Sequence, residues 1–272
     1  MALVERSSAA SVALEPERAS RMWVPGMALW RLASIALFCG LWEIAGRIPI
    51  NPAFPPFSDT LMGFAAMMAD GSLPRAYFIT LQPLVIGVVI SATLGVSLGV
   101  LIGLRRGAEW LIAPIFIVLQ AAPVAALIPL VTFVYGIGLT AKTMSVCILA
   151  LPVIVLNSYK AVRNVNPSLV AMCRSFLGTP RQQIVKIMLP DAAPLIFAGL
   201  RLGVSAGFIG VILAELLITP TGIGDLITFH RSTASYPEMY ASIASIVVFS
   251  ALTLAVLQWV EVRLFRPEKQ GA

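Results

Sequence analysis

Six stretches of this 272-residue chain stay apolar for about 20 residues at a time, near 28 to 46, 78 to 104, 110 to 135, 141 to 159, 194 to 218 and 239 to 262. As a helix, a run of that length matches the hydrocarbon core of a bilayer. Lipid offers backbone groups no partner, so a spanning segment must satisfy its own N–H and C=O groups, and continuous apolar runs do this as helices. With 12% charged and 58% hydrophobic residues and a mean hydropathy of +0.91, a water-soluble globule is excluded. The expected fold is all-α and polytopic, with about six transmembrane helices over residues 28–265. Pro114, Pro123 and Pro129 interrupt the third run, and each removes a backbone donor. A broken helix facing protein or a pore is expected there.

The first 27 residues mix Glu5, Arg6, Glu15, Glu17, Arg18 and Arg21 with Ser and Ala and lack the apolar core of a cleavable secretory signal. Residues 1–27 are therefore expected to be a disordered tail, with residues 266–272 a short tail at the other end. Short basic loops are retained in the cytoplasm, so Lys and Arg positions set the orientation. With both ends inside, thirteen of the 19 basic residues fall on cytoplasmic segments, against four outside (Arg47, Arg75, Lys142 and Arg231) and two within spans. The expected location is a cell inner membrane, crossed several times, with both termini cytoplasmic. The net charge of +6 then reflects topology, since no basic, aromatic-interleaved module supports nucleic-acid binding. Cys39, Cys147, Cys173 and the single His230 show no metal-ligand or disulfide spacing, so no metal site is expected.

Gly87, Ser91, Gly95, Gly99, Gly103 and Gly107 recur at every fourth position, and Gly199, Gly203 and Gly207 repeat the interval later. Small residues so spaced let helix backbones touch, which predicts tight packing within the bundle or between subunits in preference to a glycine-lined pore. Ionisable groups at bilayer depth cost about 2.5 to 3.5 kcal/mol on insertion scales, so each needs a reason. Glu43 lies four residues before Arg47 and reads as an interfacial ion pair, and Arg201 as a side chain that snorkels. Glu215 has no basic residue within a turn, so it either lines a translocation path or pairs with another helix. Pro129, Gly222 and Gly224 are the other path candidates; the turn-rich segment Thr219 to Asp225, followed by moderately apolar residues up to Tyr240, reads as an outer gate or a re-entrant segment.

Between the fourth and fifth runs, residues 160–190 form a polar loop carrying Lys160, Arg163, Arg174, Arg181 and Lys186 with no carboxylate. Asn166 and Pro167 read as an N-cap and first helical residue, and Leu169, Val170, Met172, Cys173, Phe176 and Leu177 then recur at helical spacing. Gly178 is expected to end this helix in a left-handed conformation. Thr179, Pro180, Arg181 and Gln182 restart one with a capping box, which is expected to end near Leu189, ahead of Pro190. Two small amphipathic helices held at the membrane make a docking surface for a soluble partner, or a linker lying on headgroups.

Some chemistry is missing. No Lys follows a Gly, so the phosphate-cradling G-x-x-x-x-G-K-[ST] loop is absent, as are a G-x-S-x-G elbow and an H-E-x-x-H pair. A transport subunit is expected, not an enzyme, with no cofactor bound by the chain. A secondary carrier or a membrane scaffold stays open as an alternative, although carriers commonly show internal repeats and paired charges.

From about Trp30 to Arg266, and most strongly in this loop, the chain resembles the membrane permease subunits of binding-protein-dependent ABC importers, in their nitrate, sulfonate and taurine branch. The family pattern runs Glu-Ala-Ala, three residues, Gly, nine residues, Ile, one residue, Leu-Pro; Ile187, Leu189 and Pro190 match its end. Counting back puts Ala171, Met172 and Cys173 on the first three positions and Leu177 on the glycine, with Gly178 one residue late. Pro55 to Asp59, Ile128 to Leu130, Tyr135 to Gly138, Ala198 to Gly203, Ala214 with Glu215, and Gly222 to Gly224 match in order. The resemblance implies a second permease copy, a pair of ABC ATPase subunits using ATP and magnesium, a periplasmic or lipid-anchored binding protein, and a small solute, either an anion such as nitrate, bicarbonate, taurine or an alkanesulfonate, or a heteroaromatic precursor or aromatic acid. It assigns contact with the ATPase to Leu169, Met172, Cys173, Arg174, Ser175 and Phe176. Leu177, Gly178, Thr179, Arg181 and Pro190 complete that contact.

Overall fold

The computed structural model describes residues 25–48, 53–218 and 220–265. The tail expected at residues 1–27 falls outside the described residues up to residue 24, and the tail at 266–272 and Thr219 also lie outside them. Regular structure among the described residues is helical throughout: α1 (Pro25–Arg47), α2 (Phe57–Ala69), α3 (Ser72–Leu104), α4 (Arg106–Ala121), α5 (Val124–Tyr135), α6 (Leu139–Arg163), α7 (Pro167–Ser175), α8 (Pro180–Gln182), α9 (Leu189–Leu217), α10 (Ile223–Ser232) and α11 (Tyr236–Phe265). Gln183–Met188 is a π-helical turn joining α8 to α9. Four helices (α3, α6, the run Pro180–Leu217 and α11) are long and apolar enough to cross a membrane, and the bent pair α4 and α5 makes a fifth when counted as one span. The 23-residue α1 adds another apolar helix, with Leu32, Ile35, Phe38 and Leu41 exposed.

The broken third run turns by 105° between α4 and α5. Only one of its three prolines makes the break: Pro114 and Pro129 lie inside helices, whereas Ala122, forced toward an extended conformation by Pro123, sits at φ −65° and ψ 142°.

The core is organised around α6, whose most apolar window is 56% buried against 6% for α11. On one side α3 runs parallel to it, and a Cβ built on Gly87, Gly95, Gly99 or Gly103 would fall 2.5 to 2.8 Å from Val146, Ile154, Ser158 or Val162 respectively. Those partners advance with the glycines by fours, so the two backbones stay in register over the whole stripe. Ser91 and Ala150, which occupy the missing step, are fully buried. On the other side α9 runs antiparallel: Gly199 faces Asn157, Gly203 faces Ile154, and Gly210 faces Ser145 and Val146. The small-residue stripe therefore packs helices inside one bundle. Gly107 is the exception, since a Cβ there would meet nothing within 4 Å. It lies past the turn at Arg105, where the chain has left α3 for α4.

The apolar side chains close around this triplet. Leu84, Val146, Phe208, Val211, Ile223 and Ile246 form a buried cluster where α3, α6, α9, α10 and α11 meet. Elsewhere large apolar residues such as Trp110, Phe133 and Val118 stand exposed, as expected of a surface solvated by lipid.

Helix α2 lies outside the six apolar runs. Its first turn is capped from a distance: the Glu43 carboxylate accepts from the Ser58 backbone N–H at 2.9 Å and from the Ser58 hydroxyl at 3.1 Å, placing negative charge at a helix N-terminus. Arg47 pairs with the same carboxylate at 2.6 Å, as the i,i+4 spacing predicts. Beside it Trp42 donates to the Pro55 carbonyl at 3.1 Å and packs among Phe38, Phe54, Phe57 and Tyr240. Arg201 does not snorkel free but pairs with Glu261 of α11 at 3.3 Å.

Replacing Gly99 with valine pushes a side chain against Ser158 and the Val155 carbonyl, and should destabilise the detergent-solubilised protein by about 1–3 kcal/mol. Gly107→Ala, with open space and a helical backbone, should be neutral or stabilising by about 0.5–1 kcal/mol. Thermal unfolding of the two variants against the parent checks the contrast.

Candidate docking loop and buried charge network

The loop between α6 and α9 forms as its capping residues predict. The Ser168 backbone N–H donates to Asn166 Oδ1 at 2.9 Å, with Pro167 as the first residue of α7. The Asn166 N–H donates in turn to Asp191 Oδ2 at 3.2 Å, tying the loop's start to its end. Thr179 and Gln182 make the reciprocal capping box, with the Thr179 N–H donating to Gln182 Oε1 at 2.8 Å and the Gln182 N–H to Thr179 Oγ1 at 3.3 Å. Val170 and Met188 pack on Val165, Ala161, Val162 and Ala192, so the base of the loop belongs to the core.

Two details depart from the sequence reading. The helix beginning at Pro180 does not stop before Pro190 but runs on through the π turn into α9. Pro190 lacks an N–H, and in a regular α-helix its ring would press on the carbonyl of Lys186. The wider i→i+5 turn at Gln183–Met188 makes the room, and the helix survives. The left-handed residue is Leu177, at φ +53°, not Gly178. The Gly178 N–H donates to the Cys173 carbonyl and the Leu177 N–H to the Arg174 carbonyl, each at 2.9 Å, which is the Schellman closure of α7. Gly178 is needed for a different reason, because a Cβ there would lie 2.5 Å from Cys173 Sγ. The left-handed turn thus falls on the position where the family pattern has its glycine.

This closure thrusts apolar side chains into the open. Phe176 is 81% exposed, Leu177 92% and Met172 47%. Arg174, Ser175, Thr179 and Arg181 are exposed around them, while Leu169, Cys173 and Gly178 are half-buried. Pro190, exposed in the first turn of α9, stands at the base of the loop and not at its tip.

At the opposite ends of α6 and α9 lies a second polar feature. Lys142 Nζ is 2.8 Å from Glu215 Oε1, and the two side chains are 3% and 0% exposed. The ammonium's other two protons go to Thr221, with its carbonyl and its Oγ1 both at 2.9 Å. The Thr80 hydroxyl of α3 donates to the Glu215 carboxylate, at 2.9 and 3.0 Å from its two oxygens, and accepts from the Ile223 N–H at 3.0 Å. The Gly224 N–H donates to Glu215 Oε2 at 3.0 Å. A Cβ on Gly222 would lie 2.1 Å from Glu215 Oε1, and one on Gly224 2.4 Å from Glu215 Cβ, so both glycines form the cradle of the carboxylate.

Every charge-bearing atom of the pair is therefore matched inside the protein, which is the condition under which a buried ion pair is tolerated. The network also satisfies two N–H groups at the start of α10, holding that helix to α3, α6 and α9. Of the four residues expected along a path, the structure joins Glu215, Gly222 and Gly224 here and leaves Pro129 exposed in α5, outside the network. Lys142, counted from the sequence among the outer basic residues, is instead the buried counter-ion. The available signal was two isolated ionisable groups of opposite sign in separate apolar runs. Nearby, at the α2–α3 turn, hydrogen bonds from Ser72 hold the Asp70 carboxyl below its ordinary range, with His230 adding to the effect.

Removing one partner of the buried pair, as in Lys142→Met, should cost about 3–5 kcal/mol by stranding a carboxylate, and the double change Lys142→Met with Glu215→Leu should recover only part of it, because the Gly224 N–H then loses its acceptor. A double-mutant cycle on thermal stability measures the coupling. At the loop, Leu177→Gly should relieve about 1 kcal/mol of left-handed strain, whereas Gly178→Val should destabilise α7 by closing on Cys173, which hydrogen exchange of α7 amides would register.

The chain is 25% identical over 263 residues to the putative aliphatic sulfonates transport permease protein SsuC of Bacillus subtilis, covering 96% of this chain and 94% of that one. It is 25% identical over 231 residues to the taurine transport system permease protein TauC of Escherichia coli, covering 82% and 83%. Among solved structures, the MetNI methionine ABC transporter in an inward-facing conformation superposes with a TM-score of 0.57 at 19% identity, over 72% of this chain and 95% of that chain. An amino acid ABC transporter solved with histidines gives 0.56 at 18% identity, over 74% and 98%. Residues 91–266, which take in α6, the loop, both halves of the charge network's ion pair and α11, match the family model described as the binding-protein-dependent transport system inner membrane component, and the chain belongs to that family.

Proposed function

We propose that this ABC importer permease works as a homodimer at the inner membrane, driven by two ATPase subunits that dock on the α7 loop and supplied by an external binding protein. Both termini and the α7 loop face the cytoplasm in this reading, and α10 faces outward. The single observation that carries it is the tip of α7, where Met172, Phe176 and Leu177 project into solvent from a loop whose base is packed into the core. A cluster of exposed large apolar side chains beside Arg181 suits a soluble partner's groove, with aromatic and aliphatic anchors at the centre and charge at the rim. Closure of the ATPase pair on ATP would move this tip, and the continuous helix from Pro180 through α9 offers a rigid lever from the dock to the far face. A ligand-driven switch of access needs such a differential contact between the two states. The solute is a small anion of the sulfonate type, by the kinship with the sulfonate and taurine permeases.

The test is capture and transport by the reconstituted system. Phe176→Glu should lower binding of the partner ATPase by about a hundredfold, the size of a central interface anchor. Leu177→Gly should weaken capture while raising stability, which separates docking from folding. Sulfonate uptake that proceeds on an ion gradient, without ATP or binding protein, would establish a secondary carrier in place of an importer.

A further inference from the structure

Beneath α7, on the side away from its apolar tip, a cavity of about 590 Å³ opens between the ends of α3 and α6 and the loop. Three guanidinium-bearing residues line it: Arg106 at the start of α4, Arg163 at the end of α6 and Arg174 on α7. Arg163 is engaged, since it pairs with Glu109, whose carboxylate also accepts from the Tyr159 hydroxyl. Neither Arg106 nor Arg174 makes an ion pair among the described residues, a state they share with Arg75, Arg105, Arg181 and Arg231, and Arg106 acts on the Glu109 carboxylate only through its charge. The cavity walls are otherwise small or apolar, with Gly103, Val162 and Met188 among them, and no acidic residue lines it.

We infer that this cavity is a binding site for a single oxyanion, the phosphate of an anionic phospholipid, seated between the coupling helix and the span ends. It rests on the orientation given above, which places the cavity at the inner-leaflet headgroups. Guanidinium forks match phosphate oxygens with two parallel hydrogen bonds, which ammonium groups do not. Basic pockets between helix ends at the cytoplasmic face are where anionic headgroups settle. One turn along α4 from Arg106, Trp110 and Leu111 are 83% and 73% exposed, an interfacial aromatic and an apolar surface against which acyl chains can lie. A phosphate held by Arg174 on one side and Arg106 on the other joins the loop to the membrane bundle without any contact to the tip. Its presence stiffens the dock and makes coupling depend on lipid charge. A free oxyanion from the cytoplasm, the transported sulfonate included, offers the same chemistry.

The experiment uses the full chain in dodecyl maltoside, titrated with dioleoyl phosphatidylglycerol, dioleoyl phosphatidylcholine or sodium sulfate. Retained lipid is counted by native mass spectrometry and melting temperature is read in parallel. One phosphatidylglycerol should be retained and should raise the melting temperature, with phosphatidylcholine inert. The double variant Arg106→Gln with Arg174→Gln should weaken retention by about tenfold or more, and Arg106→Lys with Arg174→Lys should keep part of it. A shift produced by sulfate and lost in the glutamine variant keeps the oxyanion site and assigns it to a free solute. Equal retention by parent and glutamine variant, or no saturable response to either anion, overturns the inference. Phe176→Glu separates this from the docking proposal, because it should lose the ATPase and keep the lipid.

Discussion

The close approach of α6 to α3 on one side and α9 on the other is the contact on which the rest of this protein depends. In lipid there is no gain from hiding apolar surface, so helices associate through van der Waals contact and matched polar groups, and both need short distances. Glycine at Gly87, Gly95, Gly99 and Gly103 removes the side chain that would hold α3 away, and Gly199, Gly203 and Gly210 do the same for α9. With three backbones fixed in register, the ends of α6 become defined points in space. One end carries Lys142 and the other runs directly into the loop.

The buried ion pair is a consequence of that register. Lys142 and Glu215 lie 73 residues apart and on antiparallel helices, yet they meet at 2.8 Å because Gly210 lets α9 come down on Ser145 and Val146 just inside them. Thr80 enters from α3 for the same reason. The carboxylate then has spare acceptor capacity, which the Gly224 N–H at the start of α10 uses, while the Ile223 N–H goes to the Thr80 hydroxyl that the carboxylate holds in place. A segment that would otherwise leave orphan donors near lipid is thereby folded back onto the bundle. The polar network and the apolar seam are thus a single construction, in which the seam sets the distances and the charges hold down what the seam cannot reach.

The α7 loop works on an opposite principle. Its base is part of the core through Val165, Val170 and Ala192, while its tip gives up burial altogether. Holding Leu177 in a left-handed conformation costs energy that a glycine would not, and leaves a large apolar side chain in solvent. A monomer in isolation gains nothing from either. Both fit the proposal that the tip is completed by another protein. Local disagreement with packing rules is what a partner surface looks like from inside one chain.

Much of this was legible in the residues themselves. Apolar runs, the four-residue glycine interval, the caps at Asn166 and Thr179, and the Glu43–Arg47 pair are local signals, set by helix geometry within a few residues. The sequence alone therefore determined an all-helical membrane protein with a polar, helical loop between long spans. It did not determine where Pro190 would be tolerated, which of two neighbouring residues would turn left-handed, or that Lys142 and Glu215 would neutralise each other. A proline's cost depends on the turn before it. A left-handed residue is selected by which carbonyls the closing N–H groups can reach, and a buried charge is stable only opposite its partner. Those are distances between segments far apart in the chain, and only the packing of α3, α6 and α9 supplies them.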